Sequence, residues 1–66
     1  MTICMTNGGH YCNVISINHQ PVAEFSATDL ESILTRYAFI LITFKSLEEQ
    51  CALVRTSCIS SITFDS

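Results

Sequence analysis

Six side chains in this 66-residue chain have the chemistry to bind a metal or attack an electrophile: Cys4, His10, Cys12, His19, Cys51 and Cys58. Structural zinc sites draw their ligands from close knuckle pairs, usually two cysteines or two histidines a few residues apart. No C-x-x-C or H-x3-H pair is present, and the cysteine spacings are C-x7-C and C-x6-C. Reduced, mostly buried thiols and two surface histidines account for these residues without a metal. Cys12 and His10 form a nucleophile and base in name only. Neighbours two apart on a strand stand about 6–7 Å apart at the backbone, and an activated thiolate also needs an orienting group and an oxyanion hole. The expectation is a protein without catalysis, metal or cofactor.

Anion chemistry has three candidate locations. Gly8-Gly9 lacks the Lys-Ser/Thr that follows a phosphate loop. Ser26, Ala27 and Thr28 open a helix whose amides suit an anion, but Asp29 already brings a negative charge there, and ordinary capping explains the same residues. Arg55 falls on one strand face with Cys51 and Leu53, where its fork could grip a phosphate or carboxylate across a groove or an interface. The polar connector 17–25, INHQPVAEF, reads as a ligand-contacting loop. The candidate ligand-binding residues are therefore Arg55, Arg36, His19, Gln20 and Asn18.

These residues must be positioned by short elements. TICMTNGGHYCNVI is β-branched and aromatic around Asn7-Gly8-Gly9, which predicts strands near 2–6 and 10–16 joined by a tight primed turn. A two-residue turn puts Ile3, Met5, His10, Cys12 and Val14 on one face. Cys4 and Tyr11 then fall on the other, which separates Cys4 from Cys12; a three-residue turn would undo this. Pro21 removes a backbone donor, and Val22 to Phe25 can add a short edge strand.

Ser26 as N-cap, Asp29 at the third position and a Phe25–Leu30 staple predict a helix over about 27–37. Its apolar stripe is Leu30, Ile33, Leu34 and Tyr37, with Arg36 in the last turn. Phe39-Ile40-Leu41-Ile42-Thr43-Phe44 is apolar on both faces, as central strands are. Ser46 and Glu49 spell a capping box, yet the alternation after Cys51 favours a hairpin of 39–45 with 51–56. An irregular turn at Ser57–Ser61 and a short final strand should follow.

Composition narrows the function classes. Six acids, Glu24, Asp29, Glu31, Glu48, Glu49 and Asp65, oppose Arg36, Lys45 and Arg55 for a net charge of −3. Three cations cannot neutralise many phosphates, which argues against a face for duplex nucleic acid. Six acids are equally too few for a nucleic-acid mimic, and solvated turns explain them. Neither a signal peptide nor an apolar run of about 18 residues is visible. Met1-Thr2 reads as the start of a complete small frame, and the expected location is the cytoplasm. At 48% hydrophobic, the chain carries more apolar side chains than so small a core can cover, and a second copy is the simplest partner.

TICMTNGG at the start and FILITF…CALVRTSCISSI near the end, with Ile59 and Ile62 as an Ile-x-x-Ile motif, resemble short phage and mobile-element proteins built as hairpin, helix and hairpin. The resemblance implies a homo-oligomer that disarms a bacterial defence, either by sequestering a small nucleotide signal or by blocking a host defence protein. It carries over no functional residue. The expected fold is one small α+β domain: one antiparallel sheet of four or five strands with a single helix on one face. The expected function is non-catalytic binding as a phage-type inhibitor in the host cytoplasm. The alternative is a structural or regulatory homodimer, antitoxin-like or assembly-forming, with no small ligand.

Overall fold

A computed structural model describes residues 1–64; Asp65, counted among the acids, lies outside them. The protein is α+β with one α-helix, and its strands divide between two antiparallel sheets rather than forming one. In chain order the strands are β1 (Thr2–Met5), β2 (His10–Tyr11), β3 (Val14–Ile17) and β4 (Gln20–Pro21). Helix α1 (Ala27–Arg36) follows, then β5 (Phe39–Lys45), β6 (Glu49–Arg55) and β7 (Ile59–Thr63). One sheet runs β2-β1-β7 and the other β4-β3-β5-β6.

Asn13 explains the division. The run 10–16 was expected to be one strand, but Asn13 adopts φ 57°, in the left-handed region that Asn tolerates better than most residues. The chain turns there, so His10–Tyr11 pairs with β1 while Val14–Ile17 crosses to β5. The seam stays bonded: the Val14 amide donates to the Met1 carbonyl at 3.0 Å, and Lys45 donates to Asn13 at 3.1 Å. Tyr11 and Phe44 meet across it with ring centroids 5.2 Å apart.

The first hairpin corrects the face assignment. Its loop has three residues, Thr6-Asn7-Gly8: the Met5 carbonyl accepts the Gly8 amide at 3.1 Å, and Met5 N–H donates to Gly9 O at 2.8 Å. Gly8 takes φ 93° as the left-handed last residue of that loop, while Asn7 is not at the positive φ that an Asn7-Gly8 type I′ turn would require. The register is Ile3 opposite Tyr11 and Cys4 opposite His10, so Cys4 shares a face with His10, contrary to the two-residue reading. The separation of Cys4 from Cys12 argued from that parity therefore falls. All four thiols are free, but the expectation of mostly buried cysteines also fails: Cys12 and Cys51 are exposed, and Cys4 and Cys58 half-buried.

Residues 22–25, expected as an edge strand, instead form a 3-10 turn over Val22–Glu24 closed by Phe25 N–H donating to Val22 O. Ser26 is the N-cap, as expected, and Asp29, expected there for the helix dipole, also bonds back to the Ser26 amide; α1 ends at Arg36, with Tyr37 already extended. β5 is central, as its two apolar faces required, and it pairs along its whole length with β6 from Phe39↔Arg55 to Lys45↔Glu49. The capping-box pattern at Ser46–Glu49 thus goes unused, because pairing with β5 outweighs local helix propensity. After β6 a 3-10 turn at Thr56–Cys58 leads into β7, where an irregular segment was expected to extend to Ser61. The Thr56 hydroxyl holds that turn against the carbonyls of Tyr37 and Ala38.

The core lies between the two sheets and α1. Ile3, Ile17, Ile40 and Ile42 are fully enclosed, joined by Met1, Val14, Leu30 and Val54. The even-numbered residues Ile40 and Ile42 of β5 face this core, whereas Phe39 and Leu53 stand on the opposite face, 46% and 67% exposed. Among the described residues no helix is long and apolar enough to cross a membrane.

Candidate functional site

Three of the five candidate residues meet. Asn18, Gln20 and Arg36 line one cleft of about 210 Å³ with Ile17, Phe25, Ser32, Ile33 and Tyr37. Its walls are the β3–β4 hairpin on one side and the last turns of α1 on the other. The hairpin is set by Asn18 and His19, both at positive φ (51° and 66°), with Ile17 opposite Gln20. That is the two-residue primed turn geometry in which Asn is favoured. Asn18 then anchors the tip to β5: its amide donates to the Leu41 carbonyl at 2.7 Å, and its Oδ1 accepts the Leu41 amide at 3.0 Å. The side-chain NH2 of Asn18 takes part in neither bond.

Arg36 enters the cleft from the end of α1, where a cation complements the terminal carbonyls. Tyr37 follows it and, being extended and 46% exposed, brings a ring to the rim. The stripe read from the sequence counted Tyr37 as a core residue of the helix; the helix stops one residue earlier, which frees it for the cleft. Phe25, read as a helix staple, supplies a second ring, and Ser32 a hydroxyl. Sequence reasoning missed these lining residues, since only the return of the chain after Pro21 brings 18–20 against 32–37.

His19 occupies the hairpin tip beside the cleft and does not line it. Arg55 lies elsewhere: its guanidinium carbon is 5.0 Å from the centre of the Phe39 ring, a cation–π contact on the open face of the four-stranded sheet. The five candidates therefore do not form one site.

The other chemistries separate as well. Among the described residues no group of three His, Cys, Asp or Glu side chains is placed to hold a metal. His10 and Cys12 line a shallow depression of about 240 Å³ with Lys45. The helix N-terminus is closed by its own cap: the Asp29 amide donates to Ser26 Oγ at 3.2 Å, and the Ser26 amide donates to Asp29 Oδ2 at 3.0 Å. The Ser26 backbone bond, helped by the Ser26 side chain, holds the Asp29 carboxyl below its ordinary value. A carboxylate therefore fills the position an anion would take.

A second, apolar groove of about 530 Å³ runs between α1 and β7, with Leu30, Leu34, Ile59, Ile62 and Phe64 among its walls. Ile59 and Ile62 of the Ile-x-x-Ile motif pack on the core from this side. No family model, curated protein or solved structure matches this chain.

Proposed function

We propose that this chain is a non-catalytic binding protein, an inhibitor of bacterial defence of the phage type, which acts as a homo-oligomer and sequesters a small nucleotide. One observation supports the ligand class: Arg36, Asn18 and Gln20 converge on a cleft that also presents the rings of Phe25 and Tyr37. A guanidinium takes a phosphate through paired, charge-assisted hydrogen bonds. An aromatic ring stacks a base, and amide side chains answer the polar edge of that base. At about 210 Å³ the cleft is smaller than the roughly 300 Å³ at which ligand pockets usually begin, so it grips part of a nucleotide and leaves the rest in solvent. Arg55 is not part of this reading. The anti-defence setting comes from the resemblance of the strand-and-turn pattern to small phage proteins.

Calorimetric titration with linear and cyclic mono- and dinucleotides tests the proposal. Binding is expected to weaken by about tenfold or more in Arg36→Ala and to persist in Arg55→Ala. No heat with any nucleotide, or equal affinity in Arg36→Ala, overturns it. The competing reading, occlusion of a host defence protein, draws on exposed Phe39 and Leu53 on the open sheet face.

A further inference from the structure

Every open sheet has edges, and this protein treats its edges unequally. β2 and β4 are two residues long, and β4 ends in Pro21. β7 is five residues long, and its pairing with β1 shifts register between Cys4 and Met5. Short strands, prolines and irregular pairing are the usual protections against edge-to-edge association. β6 has none of these, and of the further protection by edge charge it has only Glu49 and Arg55 at its two ends: it is seven residues long, ends its sheet, contains no proline and pairs with β5 without a shift.

Which backbone groups face outward follows from β5. Leu41 bonds to Asn18 through both its amide and its carbonyl, and the Lys45 amide donates to Asn13, so the odd-numbered residues of β5 turn their polar groups toward the β3 side. Ile40, Ile42 and Phe44 therefore face β6, opposite Val54, Ala52 and Gln50. By the alternation of an antiparallel ladder, Glu49, Cys51, Leu53 and Arg55 present their N–H and C=O groups to the free edge.

We infer that this edge pairs with itself, a second copy of the chain docking antiparallel about Ala52 so that Glu49 of each copy faces Arg55 of the partner subunit. The inference deepens the homo-oligomer of the proposed function and rests on that part of it alone. A two-fold axis through the strand pair brings each residue opposite one of matching parity. Centring on Ala52 engages all four outward-facing residues: Glu49 with the partner's Arg55, and Cys51 with the partner's Leu53. That makes about eight backbone hydrogen bonds. Centring on Cys51 or Leu53 instead leaves one end charge without an opposite.

Charge selects the same register. β6 carries one acid and one base, at its two ends, and the Ala52 register pairs them twice by symmetry. Among the described residues no carboxylate of the chain pairs with Arg55, whose contact is the Phe39 ring. Leu53, two-thirds exposed in the single chain, comes against the partner's Cys51. β4, one wall of the Arg36 cleft, lies at the opposite edge of the sheet from β6.

The test is sedimentation velocity on the full chain under reducing conditions at low salt, with circular dichroism to confirm that each variant folds. The wild type is expected at twice the chain mass. Glu49→Arg and Arg55→Glu should each weaken the dimer about tenfold or more by setting like charges opposite, and the double exchange should restore it. A second measurement fixes the register. Leu53→Cys places a thiol opposite the partner's Cys51 at about 5.5 Å between Cα atoms, so mild oxidation should give a covalent dimer that Cys51→Ser abolishes. A wild-type monomer at hundreds of micromolar overturns both this interface and the homo-oligomer, leaving the edge for a different chain, and does not bear on the nucleotide titration. A dimer indifferent to the charge exchange and without the cross-link overturns the β6 interface and leaves the homo-oligomer standing.

Discussion

Ser26 and Asp29 hold each other at the start of α1, and the consequence is a pH dependence with a definite sign. Asp29 has its carboxyl lowered from 3.8 by the Ser26 backbone bond and, second, by the Ser26 hydroxyl. A carboxyl depressed by folding contributes stability that is fully present above its unfolded value. That contribution is lost as the pH falls through the lower folded value. Its window therefore opens near pH 3.8 and closes below it. Ser26→Ala is expected to cost about 1 kcal/mol at neutral pH. It should also flatten the acid limb of stability below pH 4, as Asp29→Asn should. Urea midpoints from pH 2 to 6 check both; an unchanged acid limb would show that the cap does not carry the shift. This cap was legible in the sequence because all its partners lie within one turn. The bond from Leu41 to Asn18 was not, since its ends are separated by 23 positions and nothing local signals it.

Loops decide more at the scale of elements than strands do. The first hairpin was legible in place but not in length, and one additional loop residue moved Cys4 to the face of His10 and set Ile3 opposite Tyr11. Gly8 makes that loop possible. At φ 93° it lies where a side chain is strained, while a Cβ there would meet nothing within 4 Å. Gly8→Ala should therefore destabilise through the backbone alone, by about 1 kcal/mol, as a shift in denaturant midpoint with no change in slope. A loss several times larger would mean that the loop packs against something. The 10–16 run misled for a related reason: its alternation is sound, but one residue at positive φ, Asn13, sends its halves to different sheets. The β5–β6 hairpin could be read through its competing helix signal from the β-branched alternation after Cys51, although the strand begins at Glu49, two residues before the expected 51. The cleft was half legible. Asn18, Gln20 and Arg36 announced themselves, whereas Phe25 and Tyr37 carry the same signature as core residues.

For the whole molecule, the balance between core and surface is close. Among the described residues eight apolar side chains are buried, four of them fully enclosed isoleucines, and the chain exposes 4419 Å². A monomer of 7.3 kDa is expected to expose about 4,200 Å². Folding alone thus leaves Phe39, Leu53 and Phe64 each about half exposed or more. A protein of this size has little stability to lose, and pairing through β6 would add to it by mass action. Thermal unfolding should then depend on concentration. Raising the protein a hundredfold, from about 5 to about 500 µM, adds about 2.7 kcal/mol per dimer. Shared between two chains of this length, that is a rise of roughly 5–10 °C in Tm. Glu49→Arg should flatten the dependence, and exchanging both charges should return it. Ile42→Ala should lower Tm at every concentration, by about 2–5 kcal/mol of lost core, and leave the slope with concentration unchanged. A wild-type Tm constant over that range would place all the stability in the single chain and remove self-pairing from the account.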